Sequence, residues 1–273
     1  MDINSKIKLN NGIEIPAFGF GTYQTVPGPE TYDSVRYALE IGYRLIDTAA
    51  FYGNEADVGK AIRDSKINRN EIFVTTKVKN TDQGFDNTLK AFDVSFNKLN
   101  IDYIDLYLIH WPLPNFRNDT WKALEKIYQN GKVKSIGVSN FTINHLNELF
   151  STSAIIPVVN QVEFHIYLYQ KELLEFCTAK GIYLEAYSPL VQATKMNDAK
   201  LKAMATKYNK TAAQILIKWA LQVGTIPLPK SITKHRIKEN AEVFDFEISV
   251  SDMEQIENWN ENLHICWNPN TIK

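Results

Sequence analysis

The amino-acid sequence predicts an α/β protein of the (β/α)8 or TIM-barrel class, with an N-terminal β-hairpin and extra helices near the C-terminus. Its length of 273 residues suits such a barrel, which commonly needs about 250 residues. Eight short apolar runs alternate with stretches of helical periodicity, and no low-complexity linker interrupts them. The runs begin about 25 to 30 residues apart, except for about 40 before the last, as expected of β-strand and α-helix units. We therefore expect residues 1–273 to form one domain.

The hairpin is predicted over residues 6–15. It turns at Asn10-Asn11-Gly12 and continues with the alternating Ile13 and Ile15. The eight apolar runs then follow at 18–21, 44–47, 72–78, 104–110, 133–139, 158–162, 183–188 and 225–229. Between them, apolar residues recur three and four positions apart, which is typical of helices that bury one face.

Extra helices are predicted around the eighth run. One occupies 198–208 in the long interval before it, and another occupies 251–262 after it. The capping-box spacing of Thr211 with Gln214, and of Ser251 with Glu254, predicts two helix starts. The competing architecture is a doubly wound open sheet, but segment 19–24 (GFGTYQ) lacks the third glycine of a dinucleotide-binding turn.

Composition and charge favour a small-molecule ligand. The hydrophobic content of 44% supports a large core, and the net charge of −1 argues against a nucleic-acid or anionic-membrane partner. The N-terminus has no apolar segment of signal-peptide type, and no apolar run approaches the length of about 18 residues that a membrane helix needs. We therefore expect a cytoplasmic monomer with reduced cysteines at Cys177 and Cys266.

Four titratable residues follow consecutive strands. Asp47 ends the second run, Tyr52 lies in the loop after it, Lys77 lies in the third run, and His110 ends the fourth. Asn54 is placed to cap the next helix. Because the C-terminal ends of barrel strands face one mouth, we expect the four titratable side chains to converge there.

This set suits the reduction of a carbonyl group by a hydride donor. The carbonyl oxygen gains negative charge as hydride reaches the carbon, and Tyr52 can then supply a proton. We expect the ammonium of Lys77 to lower the pKa of Tyr52, and Asp47 to keep Lys77 charged. His110 can donate a hydrogen bond to the carbonyl oxygen and orient it.

The same residues lie within longer motifs, which read GFGT at 19–22, IDTA at 46–49, YGNE at 52–55, TTK at 75–77, DLYLIHWP at 105–112, IGVSNF at 136–141, NQVE at 160–163, AYSPL at 186–190 and PKS at 229–231. On these motifs the chain resembles the aldo-keto reductase family over nearly its whole length. The resemblance implies NADPH-dependent reduction of aldehydes and ketones, with Tyr52 as general acid in a tetrad with Asp47, Lys77 and His110. The short tail after Trp267 resembles that of microbial members such as diketogluconate and glyoxal reductases.

A cofactor site is predicted at the eighth strand. Lys230, Ser231 and Arg236 lie where barrels often bind phosphate, and two cations with a hydroxyl match the 2′-phosphate of NADPH. The alternative interpretation is a solvated basic helix face. By resemblance, the other cofactor contacts are Glu239 and Asn240 at the adenine, Ser139, Asn140 and Gln161 at the nicotinamide carboxamide, Tyr187 stacked on the ring, and Ser188 and Leu190 at the pyrophosphate.

The predicted substrate pocket is aromatic. It is formed by Tyr23, Phe51 and Trp111 with His110, and Lys79 is a further candidate. The histidines show no metal-binding spacing, so we expect no metal site. Two other functions stay open: a lyase in which Lys77 forms a Schiff base, and a non-catalytic NADPH-binding regulatory or structural protein.

Overall fold

The apolar runs of the sequence form strands in the computed structural model, which describes residues 1–272. A hairpin of β1 and β2 precedes eight parallel strands, β3 to β10. The strand bounds are β1 Lys6–Lys8, β2 Glu14–Pro16, β3 Gly19–Gly21, β4 Leu45–Asp47, β5 Phe73–Val78, β6 Ile104–Ile109, β7 Val133–Ser139, β8 Val159–Glu163, β9 Tyr183–Tyr187 and β10 Ile226–Pro227.

Helices connect the strands and cover the outside of the sheet. Their bounds are α1 Pro29–Glu40, α2 Glu55–Ser65, α3 Phe85–Leu99, α4 Arg117–Gln129, α5 Ile143–Thr152, α6 Lys171–Ala179, α7 Ala199–Lys207, α8 Ala212–Gln222, α9 Lys234–Ala241 and α10 Val250–Glu257. Helix α7 is the insertion predicted before the last strand, while α9 and α10 follow that strand. Within residues 1–272, no helix is both long and apolar enough to cross a membrane.

The strands are paired in chain order from β3 to β10, and every pair is parallel. The backbone N–H of Gly21 donates to the carbonyl oxygen of Pro229 at 3.1 Å, which brings the first strand against the end of the last. The predicted (β/α)8 barrel is therefore confirmed, and the alternative of an open doubly wound sheet is wrong.

The hairpin segment closes the amino-terminal end of the barrel. Leu9 and Ile15 join an apolar cluster inside the barrel with residues from five of its strands and from the segments beside them: Leu45, Phe73, Leu106, Leu108, Val158, Val159, Ile226 and Leu228. The side chain of Asn10 donates to Pro157 O at 3.0 Å, and that of Asn11 donates to Lys134 O at 3.1 Å. The interior of this end of the barrel is thus filled by apolar side chains.

The predicted helix caps have mixed outcomes. The Thr211 and Gln214 capping box is present at α8. The box predicted at Ser251 is wrong: α10 begins after Ser249, whose side chain accepts from Asp252 N, and the helix ends at Glu257 rather than at residue 262.

Asn54 occupies the N-cap position of α2, as predicted, but its side chain makes no capping hydrogen bond. It is buried, accepts from the hydroxyl of Thr48 at 2.7 Å, and donates to Thr22 O at 3.0 Å and to the hydroxyl of Thr25 at 2.9 Å. The predicted N-cap position is therefore confirmed, but the capping hydrogen bond is absent because these buried loop groups engage both the donor and the acceptor of the amide. Asn54 therefore ties the loop after β3 to the loop after β4.

The thiols of Cys177 and Cys266 are free, as expected.

Gly59 allows α2 to approach the end of α3, since a Cβ atom there would lie 1.8 Å from the carbonyl oxygen of Leu99. We predict that Gly59→Ala lowers the free energy of unfolding by about 3 kcal/mol, because the backbone of α3 must move. Urea denaturation measures this. The control is Lys60→Ala on the exposed side of the same helix, expected to change stability by about 0.5 kcal/mol or less. Equal denaturation midpoints for the two variants would contradict the close-approach argument.

Candidate active site

The carboxyl ends of the barrel strands surround a cavity of about 1320 Å³. All the predicted site residues except Lys77 line it: Tyr23, Asp47, Phe51, Tyr52, Lys79, His110, Trp111, Ser139, Asn140, Gln161, Tyr187, Ser188, Leu190, Lys230, Ser231, Arg236, Glu239 and Asn240. Lys77 lies directly beneath it. Residues from both ends of the chain therefore reach one continuous space.

A buried ion pair forms the floor of the cavity. Strand β5 directs Lys77 into the barrel, where its side chain is fully buried, and β4 ends at Asp47 beside it. Lys77 Nζ donates to the two carboxylate oxygens of Asp47 at 2.7 and 2.8 Å and to Thr48 O at 2.9 Å. These contacts compensate the loss of water around the ammonium.

Tyr52 lies immediately above this ion pair. It ends a 3₁₀ turn, Ala50–Tyr52, and the chain leaves that turn through Gly53 at φ 72°. Lys77 Nζ lies 3.3 Å from the Tyr52 hydroxyl. The ring of Tyr52 packs against the rings of Tyr23 and His110, with centroids 5.0 and 5.7 Å away. The hydroxyl thus has one fixed cationic neighbour.

The expected lowering of the pKa of Tyr52 is wrong. Burial raises the pKa of this phenol well above its ordinary value, and the charge of Asp47 raises it further. Because Asp47 balances the charge of Lys77, the ammonium does not offset the loss of solvation. Tyr52 is therefore protonated at neutral pH, which is the state a proton donor requires.

His110 follows β6 at the side of the cavity. Burial, together with the nearby charge of Lys77, lowers the pKa of His110 to about 3. The imidazole is therefore neutral at physiological pH and carries one N–H. The side chain of Asn140 donates to the backbone carbonyl of His110 at 2.9 Å and so fixes the end of the strand.

Polar side chains from β7, β8 and β9 adjoin the ion pair. Ser139 Oγ donates to the carbonyl oxygen of Gln161 at 2.8 Å, and the Tyr187 hydroxyl donates to Asn140 Oδ1 at 2.8 Å. Gln161 Nε2 donates to Asp47 Oδ2 at 2.8 Å. The cluster predicted to bind the carboxamide is thereby connected to the ion pair.

A basic loop and the start of α9 form the far end of the cavity. Lys230 Nζ donates to Gln24 O at 3.1 Å, and Arg236 lies in the first turn of α9. No side chain caps that helix start. Glu239 Oε1 accepts from the hydroxyl of Thr211 at 2.8 Å. A helix start with two cations and the hydroxyl of Ser231 suits an anion.

The opposite wall contains residues that the sequence analysis did not assign to the site. Ile265, Cys266 and Trp267 line the cavity, and the ring of Trp267 lies 4.8 Å from that of Trp111. The buried carboxylate of Glu163 holds this segment by accepting from the backbone N–H groups of Ile265 and Cys266, at 2.7 and 3.1 Å. No motif spacing links positions a hundred residues apart, so only the fold could reveal this wall.

Lys79 lines the mouth and lies 3.5 Å from the carboxylate of Asp82, which balances its charge. Phe51 lies at the rim with 66% of its surface exposed. Among residues 1–272, no group of three or more His, Cys, Asp or Glu side chains could hold a metal ion.

Comparison with known proteins shows one consistent relationship. Residues 17–261 match the sequence model of the aldo/keto reductase family. The chain is 48% identical to glyoxal reductase of Bacillus subtilis, over 99% of this chain and 98% of that protein. It is 46% identical to 9,11-endoperoxide prostaglandin H2 reductase of Trypanosoma cruzi, over 97% and 95% of the two chains.

Solved structures agree with this relationship. An aldo-keto reductase from a Medee basin deep-sea metagenome superimposes with a TM-score of 0.93 at 45% identity, covering 98% of this chain and 99% of that one. A Bombyx mori aldo-keto reductase in complex with NADP superimposes with a TM-score of 0.90 at 36% identity, covering 97% and 96%.

Removing one partner of the ion pair on the cavity floor is expected to lower the free energy of unfolding. Lys77→Met leaves the Asp47 carboxylate buried without its cation, and we expect a loss of about 3 to 5 kcal/mol in the free energy of unfolding. Adding Asp47→Asn should recover part of that loss, because the uncompensated charge is removed. Urea denaturation of both variants measures this. The control, Lys60→Met, affects an exposed pair with Asp64; a loss as small as in that control would contradict the assignment.

Proposed function

The chain belongs to the aldo/keto reductase family, and on that basis we propose that it reduces aldehydes and ketones to alcohols with NADPH. The main support is one cavity that has Asp47, Tyr52 and His110 at one end and Lys230 and Arg236 at the other. A hydride acceptor site and a phosphate site at the two ends of one cavity suit a dinucleotide donor.

The cavity residues fit NADPH in chemical type. Lys230, Arg236 and Ser231 at the start of α9 would hold the 2′-phosphate, with Glu239 and Asn240 at the adenine. At the other end, Ser139, Asn140 and Gln161 would bind the carboxamide, and the ring of Tyr187 would stack on the nicotinamide. Ser188 and Leu190 would adjoin the pyrophosphate. When bound, NADPH supplies the hydride.

Proton donation is assigned to Tyr52. Its raised pKa keeps the hydroxyl protonated until a carbonyl oxygen beside it becomes negative. The proton then moves from Tyr52 Oη to that oxygen, and the ammonium of Lys77, 3.3 Å away, stabilises the phenolate that is left. Asp47 acts through Lys77, by holding its charge in place.

His110 is assigned to orient the substrate. Since its low pKa keeps the ring neutral, its N–H can donate to the carbonyl oxygen across the physiological pH range without competing for the proton of Tyr52. Tyr23, Phe51 and Trp111 supply apolar walls.

We infer a small carbonyl substrate, a cytoplasmic location and a monomeric state. The net charge of −1 gives no support for a nucleic-acid or membrane partner.

The two alternative functions have less support. A Schiff-base lyase needs a neutral Lys77 amine, but this side chain is fully buried and donates to Asp47 and Thr48 O. A non-catalytic NADPH-binding protein would have no use for a proton donor, a buried ion pair and an orienting imidazole at one site. Oxidation of NADPH by a panel of aldehydes, ketones and keto acids decides between reductase and binding protein.

Tyr52→Phe tests the proton donor. We expect NADPH binding within about twofold of the parent and a fall in turnover of about 10² to 10⁴, the usual contribution of general acid catalysis. NADPH absorbance with methylglyoxal or a nitrobenzaldehyde measures turnover. Tyr23→Phe is the matched control, because Tyr23 lines the same cavity and its ring packs against that of Tyr52. Turnover of Tyr52→Phe at the parent rate would refute the assignment.

Arg236→Ala tests the 2′-phosphate contact. We expect NADPH affinity to fall by about 10- to 100-fold, as for a lost hydrogen bond to a charged group, while NADH affinity stays nearly unchanged. Fluorescence titration with both cofactors measures this. Lys238→Ala is the control: Lys238 lies on the same helix, away from the cavity, beside Glu242. An equal loss of affinity for both cofactors would count against the 2′-phosphate role.

A further inference from the structure

One buried acid inside the barrel has no part in the reaction described above. Glu185 lies in the middle of β9, fully buried, with Gln161 of β8 and Ile226 of β10 as its cross-strand partners. It does not line the cavity, although Gln161 does. A carboxyl group here is costly unless it has a specific polar partner.

That partner is the side-chain amide of Gln161. Gln161 Nε2 donates to Glu185 Oε2 at 2.7 Å and to Asp47 Oδ2 at 2.8 Å. A primary amide has two N–H donors, and both are taken by carboxyl oxygens. Because Oε1 and Nε2 occupy opposite branches of the planar amide, fixing Nε2 between two carboxyl groups turns Oε1 away from them, toward the cavity.

Glu185 can accept this hydrogen bond from Gln161 as a neutral acid. Its Oε1 atom is buried and has no hydrogen-bond partner among the described residues. Burial and the charge of Asp47 raise the pKa of Glu185 to about 8, although Gln161 and Lys77 act in the other direction. A neutral acid still accepts from Gln161 through its carbonyl oxygen. It does not compete with Asp47 for the ammonium of Lys77.

We propose that Glu185 is a positioning residue for hydride transfer, which acts with Asp47 to hold Gln161 Nε2 and thereby directs Gln161 Oε1 at the carboxamide of the nicotinamide. The carboxamide N–H₂ group is a donor, so it needs an acceptor at this point. The role rests on the proposed use of NADPH, and it adds a residue beneath the cavity to those that line it.

The test separates the nicotinamide end of the cofactor from its phosphate end. Wild type, Glu185→Met and Glu185→Gln are titrated with NADP⁺ and with adenosine 2′,5′-bisphosphate, which lacks the nicotinamide. Single-turnover hydride transfer from NADPH is followed in the same proteins, and circular dichroism checks that each is folded. If Glu185→Met does not fold, Glu185→Ala takes its place.

For Glu185→Met we expect about tenfold weaker NADP⁺ binding and about tenfold slower hydride transfer, with unchanged binding of the bisphosphate. Glu185→Gln should stay within about threefold of wild type, because its amide oxygen can still accept from Gln161. In a Gln161→Ala background, Glu185→Met should cause no further loss of NADP⁺ affinity, since its effect passes through Gln161.

Other outcomes overturn the proposal. Wild-type NADP⁺ binding and hydride transfer in Glu185→Met would show that Gln161 needs no such support. Equal weakening of both ligands in a folded variant would show a general structural role instead. If wild type itself binds NADP⁺ no more tightly than the bisphosphate, the nicotinamide site of the proposed function fails first, and the role of Glu185 fails with it.

Discussion

The ion pair between Lys77 and Asp47 is the interaction on which the active end of the barrel depends. An ammonium without solvent is stable only if acceptors surround it, and here these are the two oxygens of Asp47 and the carbonyl of Thr48. All three come from the end of β4 and the first residue after it. The parallel pairing of β4 and β5, with Asp47 opposite Thr75, therefore fixes where the charge lies. Tyr52, five residues beyond Asp47, is placed by the same short segment.

The barrel interior is divided into an apolar half and a polar half. This division explains how the fold accommodates a buried ion pair. The apolar cluster at the bottom, completed by Leu9 and Ile15 of the hairpin segment, supplies burial without polar groups. The charged pair and the polar side chains around it lie toward the carboxyl ends of the strands, where hydrogen bonds join Lys77, Asp47 and Gln161. Gln161 links the ion pair to Glu185, so the polar half is one connected network. Hydrogen bonds of this kind are stronger in the barrel interior than in water, and they hold these side chains in one arrangement.

Sequence reasoning succeeded where a local pattern determines the structure. The eight apolar runs, the hairpin turn and the spacing of β-α units predict the barrel, and the rule that strand ends meet at one mouth brings Asp47, Tyr52 and His110 together. It failed where partners distant in the chain decide the outcome. Asn54 has the residue type of a cap, but buried groups of two loops engage its side chain.

Position along the chain also says nothing about solvation. The sequence predicts that Lys77 lies near Tyr52 and pairs with Asp47, which suggests a lowered pKa for the phenol. It does not show that burial dominates the pKa of Tyr52 or that the charge of Asp47 raises it further. Glu185 was missed for a related reason. An acid in an apolar strand has no spacing signal, and its meaning appears only when β8 places Gln161 beside it. The wall formed by Ile265 and Trp267 likewise depends on Glu163, a hundred residues earlier.

The charge states of the site residues favour a reaction in which negative charge develops on a substrate oxygen. Tyr52 is protonated, and His110 and Glu185 are neutral at pH 7, each because burial disfavours its charged form. The Lys77 and Asp47 pair carries no net charge. When a proton leaves Tyr52, the resulting phenolate is the one uncompensated charge in this group, and it forms beside an ammonium that is already in place. A preorganised cation needs no rearrangement at that moment, which is the physical basis of electrostatic catalysis in a site with little water.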